Sequence, residues 1–349
     1  MAFRIIRNDI AKVKADVIVN TANPKPVIGA GTDSRIYSAA GSDDLLKERK
    51  KIGEIAPGEA VYTSAFRLDA KYIIHTVGPV WEGGEKGEEE ILRRCYRNSM
   101  NLAKELNAES IAFPLISSGS YGYPKDKALM TALEEIKGFL FENEMDIWLV
   151  ILDRKSLELS HDLEGEIESF ISDSHASVVM DREYSIGTVR EDKREEAIRR
   201  RRAMKNRTEE IFMHSIPVHG KGVPASASLS LDDIVGKKED TFQERLFRLI
   251  DESGMDDVEV YKKANVDRKL FSKIKGDRDY RPSKKTALSF AIALELDIDQ
   301  TEDLLARAGL AFSPSSNADK IVCYAITTKQ YNVYVIDAWL FKYGLSTLS

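Results

Sequence analysis

Short apolar runs alternate with helical periodicities through the first half of the chain. Runs at 3–6, 16–20, 60–64, 72–76, 110–115 and 146–152 are rich in Val, Ile, Tyr and Phe. Several, such as VIV at 17–19 and WLVIL at 148–152, are nearly continuous in hydrophobicity, the signature of strands buried on both faces of a sheet. Between the last two, Leu129, Ala132, Leu133, Ile136, Phe139 and Leu140 recur at the spacing of one helix face. Leu92, Cys95, Leu102 and Leu106 mark another helix ahead of the 110–115 run. Strands alternating with helices predict a layered α/β domain over 1–173.

The pattern changes near residue 174. The stretch to 240 contains REDKREEAIRRRRAMKNRTEE and then a segment rich in Pro, Gly and Ser, with no apolar face, and reads as a charged, flexible linker. From 241 to 349 the chain turns helical. Phe242, Leu246, Leu249 and Ile250 form a first amphipathic face, 258–264 a short second helix, and Asp267 caps a third ending near Lys275. Ser283 caps a fourth helix, and Leu304 and Leu305 lie in a fifth. The tail 317–349 fits helix or strand.

Chemistry concentrates where strands end. After the 16–20 run comes NTANPKPVIGAGTDSRIYSAAG, in which Gly29 and Gly31 let backbone approach a ligand and a helix begins near Asp33. A glycine-rich strand-to-helix turn presents unpaired N–H groups and the positive end of a helix dipole, which suits phosphate. A second loop, SSGSYGYP at 117–124, combines small hydroxyl residues and glycines with Tyr121 and Tyr123. Both loops follow strand C-termini, the ligand edge of α/β sheets. Together they point to a diphosphate compound such as a dinucleotide fragment. Asn20 reads as a sheet-edge residue and His75 as a packed core histidine.

Six segments resemble the macrodomain family in its own order: NDI at 8–10, DVIVNTAN at 16–23, GAGTDSRIYSAAG at 29–41, GEAVYTS at 58–64, YIIHTVGPVW at 72–81 and PLISSGSYGYP at 114–124. The resemblance implies a three-layer α/β/α fold with a mixed six-stranded sheet, and ADP-ribose as ligand. Position by position, it implies that Asp9 accepts from the adenine amino group with Ile10 beside it. It implies that Gly29, Ala30, Gly31 and Thr32, with Ser118, Gly119, Ser120, Tyr121 and Gly122, cradle the diphosphate. Tyr121 would pack on the distal ribose, Asn23 would fix that ribose, and Asp33 would orient or activate a water. The chain departs from the family at Ala30, where a glycine is usual, at Tyr37, where His or Phe is frequent, and in the 8–11 start NDIA. The implied activity is ADP-ribosyl hydrolysis, from a modified macromolecule or as deacetylation of O-acetyl-ADP-ribose. The alternative is a non-enzymatic ADP-ribose sensor.

Residues 245–309 resemble a helix-turn-helix domain of the phage-repressor type. Between Val266 and Lys285 eight basic residues face three acids, a local excess in a chain of net charge −6. In such a domain Arg268, Lys269, Ser272 and Lys273 would face DNA, with Arg278 and Lys284 near phosphates. A protein-docking module is the rival reading, with the helical domain delivering the enzyme to its target, and 317–349 offers one surface for a dimer. Phe271 and Ile274 read as core.

Length and composition add bounds. The chain has 349 residues, 43% hydrophobic and 31% charged, enough for two or three globular domains. No apolar run approaches the ~20 residues of a membrane span. The start MAFRIIRNDIAKVKAD lacks the apolar core of a secretory signal, so a cytoplasmic protein is expected. Cys95 and Cys323 build no disulfide framework, and His75, His161, His175, His214 and His219 offer no metal-ligand spacing, so neither metal nor cofactor is expected.

Overall fold

A computed structural model of the chain describes residues 3–152, 159, 163–172 and 240–349. The expected linker except residue 240, with its four consecutive arginines at 199–202, and His161, His175, His214 and His219 lie outside the described residues.

Six strands form one sheet: β1 (Phe3–Arg7), β2 (Val17–Thr21), β3 (Ala60–Ser64), β4 (Tyr72–Thr76), β5 (Ser110–Pro114) and β6 (Asp146–Ile151). Their order is β1-β6-β5-β2-β4-β3. Only the edge strand β3 runs antiparallel, against β4. Central β2 and β5 are buried almost throughout, whereas β3 is half exposed, as its more polar sequence requires. The predicted strands are all present, with ends within a residue of those read from the pattern.

Helices α1 (Thr32–Ala40) and α2 (Ser42–Ile52) cover one face; α3 (Glu88–Glu105) and α4 (Lys125–Glu142) cover the other. Strand alternation explains the division. Ile18, Ile73, Ala112 and Val150 form a cluster with Ile36, Tyr37, Ala40 and Leu45 of α1 and α2. Phe113, one residue on from Ala112, turns the other way and meets Tyr96 of α3 at a ring-centroid distance of 5.2 Å. Helix α2 escaped the sequence reading because its charged run SDDLLKERKKI exposes little beyond Leu45 as an apolar marker.

A helix not read from the sequence, α5 (163–172), follows the sheet. From 241 the chain is helical, as expected: α6 (Phe242–Ser253), α7 (Asp257–Lys263), α8 (Arg268–Gly276), α9 (Lys284–Ala293), α10 (Ile298–Arg307), α11 (Asn317–Thr327) and α12 (Val333–Lys342). The ambiguous tail resolves into two helices. Asn317–Thr327 is buried from Asp319 to Ile326, so its helical period was invisible in a uniformly apolar run. Capping is explicit: Thr241 and Glu244 form a capping box on α6, Asp297 and Gln300 another on α10, and the Ser283 side chain accepts from the Thr286 N–H on α9.

The chain divides into two compact units. One holds the sheet, residues 261–268 and 332–349; the other holds 162–260 and 269–331, in so far as these are described. Thus part of the region read as a helical domain belongs with the sheet. In that first unit α12 packs on β1 and α4, and Tyr334 meets Phe3 at a ring distance of 5.0 Å. Asn265 accepts from the Phe3 N–H at 2.9 Å and donates to the Phe3 carbonyl at 2.8 Å, pairing with the backbone of an edge strand. In the second unit α9 packs on α10 and α10 on α6, with Arg245 and Arg307 both bound to Asp303.

Candidate functional site

A cleft of 460 Å³ opens at the C-terminal ends of β2, β5 and β6. Its walls include Asn8, Ile10 and Val150–Leu152 at one end, residues 29–33 and 117–121 in the middle, and Asn23. The structure therefore gathers Ile10, Asn23, Gly29, Ala30, Gly31, Thr32, Asp33, Ser118, Gly119, Ser120 and Tyr121 on one cavity. Asp9 and Gly122 are not among its lining residues. Asp9 caps a 3-10 turn at Ile10–Lys12, accepting from the Ala11 N–H at 3.1 Å, and Asn8 lines the cleft beside it. Gly122, at φ 68°, donates its N–H to the Gly119 carbonyl and so closes the second loop.

The first loop ends on α1, whose N-cap Gly31 has φ 66° and ψ −122°. That backbone suits glycine, and α1 begins at the cleft wall, where helix geometry leaves its first N–H groups without intrahelical partners. In the second loop the Ser118 hydroxyl donates to the Leu115 carbonyl, the Tyr123 N–H to Ser117, and the Trp81 N–H to Tyr121. Ser117 sits at φ 61° against Gly78, where an added Cβ would lie 2.1 Å from its Oγ. Both loops are thus shaped by backbone positions that tolerate little substitution.

Tyr121 Oη donates to Asn23 Oδ1 at 3.3 Å, and Asn23 Nδ2 donates to the Val27 carbonyl at 3.3 Å, so the two loops meet over one end of the cleft. Gly29 lies beside both Asn23 and Asp33: a Cβ there would stand 2.7 Å from Asn23 Nδ2 and 3.3 Å from Asp33 Oδ2. Asn23 and Asp33 therefore converge on the same side of Gly29.

Asp33 is 3% exposed, and its carboxylate accepts from the Gly29 N–H at 2.5 Å and from Asn20 Nδ2 at 2.6 Å. Burial raises its pKa above the usual carboxylate value, against the lowering pull of those two donors and of Arg49. Arg49 is a buried guanidinium on α2 that donates to the carbonyls of Asn23, Pro24 and Gly53, fixing the chain beyond β2. Tyr37 is buried against this group and pushed up to about 12, by burial first and then by Asp33.

Sequence reasoning missed what stands behind Asp33. Asn20 does not serve the sheet backbone: Nδ2 also lies 3.1 Å from His75 Nδ1, and Oδ1 is buried without a partner. His75 Nε2 in turn lies 3.0 Å from Thr63 Oγ1, which donates to the Ser64 carbonyl. His75 is fully buried, as expected for a core histidine, and desolvation first, then Arg49, drives its pKa down to about 3. The register pairing of Asn20 with His75 across β2 and β4 was the only available signal, and a linear sequence does not display it.

Among the described residues, no group of three or more His, Cys, Asp or Glu is placed to hold a metal ion, and no helix is long and apolar enough to cross a membrane. Of the basic candidates in the helical region, Arg278 pairs with Glu244 at 2.6 Å, Lys284 with Asp319, and Lys273 lies 5.7 Å from the Tyr280 ring. Arg268, Lys269 and Ser272 are exposed on α8, while Phe271 and Ile274 are core.

The Macro domain family matches residues 19–132. A Macro domain-containing protein of Methanosarcina mazei is 48% identical over 155 residues, 44% of this chain and 82% of that protein. An O-acetyl-ADP-ribose deacetylase of Citrobacter rodentium is 44% identical over 160 residues, 44% of this chain and 90% of that protein. A solved variant of the Oceanobacillus iheyensis macrodomain with ADPR shares 39% identity at a TM-score of 0.43, covering 47% of this chain and 92% of that one. None of these comparisons identifies the C-terminal helices as a repressor-type helix-turn-helix. With a relative this similar matched over most of its length, and the glycine-shaped cleft in place, the chain belongs to the Macro domain family.

Proposed function

We propose that the chain is an ADP-ribosyl hydrolase, releasing ADP-ribose from a modified macromolecule or acetate from O-acetyl-ADP-ribose. The convergence of Asn23 and Asp33 on one side of Gly29 carries this reading. The diphosphate would lie between the two loops, held by backbone N–H groups of 30–33 and 118–121, with the base towards Ile10 and Val150–Leu152. The distal ribose would then reach the Asn23 and Tyr121 end. Asn23 orients the sugar, and Asp33 holds a water through the lone pairs left by its two donors. In release from a carboxylate-linked target, a bond forms from the water oxygen to the anomeric carbon. The bond from that carbon to the target's oxygen breaks, and the water's proton ends on the departing carboxylate.

Asp33→Ala and Asn23→Ala should each lower kcat by roughly 100-fold while leaving ADP-ribose affinity within about threefold. ADP-ribose release from carboxylate-linked mono-ADP-ribosylated protein, and calorimetry on the same proteins, check both numbers. Binding without release in the wild type would remove the hydrolase reading for this linkage.

One observation favours the sensor reading: both Asp33 oxygens already serve the fold, through Gly29 and Asn20. A carboxylate so engaged would also suit a residue that only shapes the phosphate loop.

A further inference from the structure

Four polar side chains lie in line across the buried sheet: Thr63 on β3, His75 on β4, Asn20 on β2 and Asp33 on α1. Asn20 and His75 are 0% exposed, Asp33 3% and Thr63 6%. The hydrogen bonds admit one consistent assignment of donors and acceptors, running outward from Asn20 in both directions. Asn20 Nδ2 has two protons and two close acceptors, Asp33 Oδ1 and His75 Nδ1. His75 must then present a bare Nδ1 and carry its proton on Nε2, which donates to Thr63 Oγ1; the Thr63 proton goes to the Ser64 carbonyl. Turning the amide over would set Asn20 Oδ1 against the Asp33 carboxylate at 2.6 Å, oxygen facing oxygen.

The arrangement has a cost that folding alone does not explain. Asn20 Oδ1 is left buried and unpartnered at the centre of an otherwise apolar sheet. Apolar side chains at 20 and 75 would avoid that defect. What the polar set achieves is control of Asp33, whose other oxygen holds the Gly29 N–H and with it the first loop. We propose that His75 and Thr63 act through Asn20 as a positioning relay that fixes the Asp33 carboxylate. Its catalytic consequence rests on the hydrolase reading above; the geometry of the relay does not.

The test joins turnover to nuclear magnetic resonance on the full chain, with Asn20→Leu, His75→Phe and Thr63→Val as near-isosteric variants. In the wild type the ring nitrogens of His75 should report a bare Nδ1 and a protonated Nε2. The Gly29 amide and Asp33 carboxyl signals should shift in Asn20→Leu and His75→Phe, and less in Thr63→Val, which stands in if the histidine variant does not fold. Asn20→Leu should lower kcat by about ten- to hundredfold with ADP-ribose affinity kept within about threefold. In an Asp33→Ala background the same substitution should lower kcat no further. A protonated Nδ1 in the wild type would overturn the relay, as would Gly29 and Asp33 signals indifferent to His75→Phe and Thr63→Val. Equal kcat losses with and without Asp33 would also overturn it. A wild type without turnover would remove the hydrolase reading alone, because the resonance measurements still decide the relay.

Discussion

Gly29 shows how much a single missing side chain can settle. An added Cβ would meet the Asn23 amide at 2.7 Å, yet the atom it meets ends a partly exposed side chain that can move aside. Gly29→Ala should therefore cost less than about 1 kcal/mol of stability but lower kcat about tenfold by displacing Asn23. Chemical denaturation and steady-state kinetics on one preparation separate the two effects. His75 makes the complementary case, a residue whose burial is read in pH. Folded, it stays neutral down to about 3; unfolded, it takes a proton below about 6.5. The unfolded chain binds more protons between those values, so this contribution is complete above pH 6.5 and is lost as pH falls towards 3. The slope is up to about 1.4 kcal/mol per pH unit. Urea unfolding at pH 7 and pH 5 should show it in the wild type and not in His75→Phe.

At the scale of elements, the loops matter more than the strands they join. The turn before α3 is held by Glu88, whose carboxylate accepts from the N–H groups of Glu82, Gly84 and Lys86. Its own backbone N–H first, then these donors against desolvation, bring its pKa from 4.5 to about 2. The contribution is therefore present above pH 4.5 and lost as pH falls towards 2. This turn carries Trp81, which packs on Tyr123 at a ring distance of 4.7 Å and donates its N–H to Tyr121. Glu88→Gln should weaken ADP-ribose binding and lower the melting temperature at neutral pH. Trp81 fluorescence and calorimetry would detect both, and unchanged values would show that the turn holds itself. The helix over 242–253 was legible from the spacing of Phe242, Leu246, Leu249 and Ile250, whereas the clasp of backbone N–H groups on Glu88 has no sequence signature.

Over the whole molecule, the α/β unit draws on residues far from it in sequence. Asn265, at φ 52°, satisfies both backbone groups of Phe3, which is itself 0% exposed. Asn265→Gly removes those bonds while relieving the positive φ, so it should cost roughly 2–3 kcal/mol. Thermal unfolding of the full chain checks this, and an unchanged midpoint would mean that β1 needs no such partner. The second unit keeps much of its positive charge within itself, through pairs such as Arg278 with Glu244 and Lys284 with Asp319. A run of basic residues in the sequence is thus, in part, an internal ion-pair set.

The sequence by itself determined the six strands, most helices and two glycine-bearing loops after strand ends, and its resemblance to the macrodomain family supplied the Asn23 and Asp33 candidates. Apolar period, glycine at strand ends and capping residues are local signals, set by neighbours a few positions away. Tertiary structure alone decided that Asn20 meets Asp33 and His75, that Asn265 closes onto Phe3, and that residues 332–349 join the sheet's unit. Those facts depend on strand register and on which distant surfaces bury each other, and both arise only when the chain is folded.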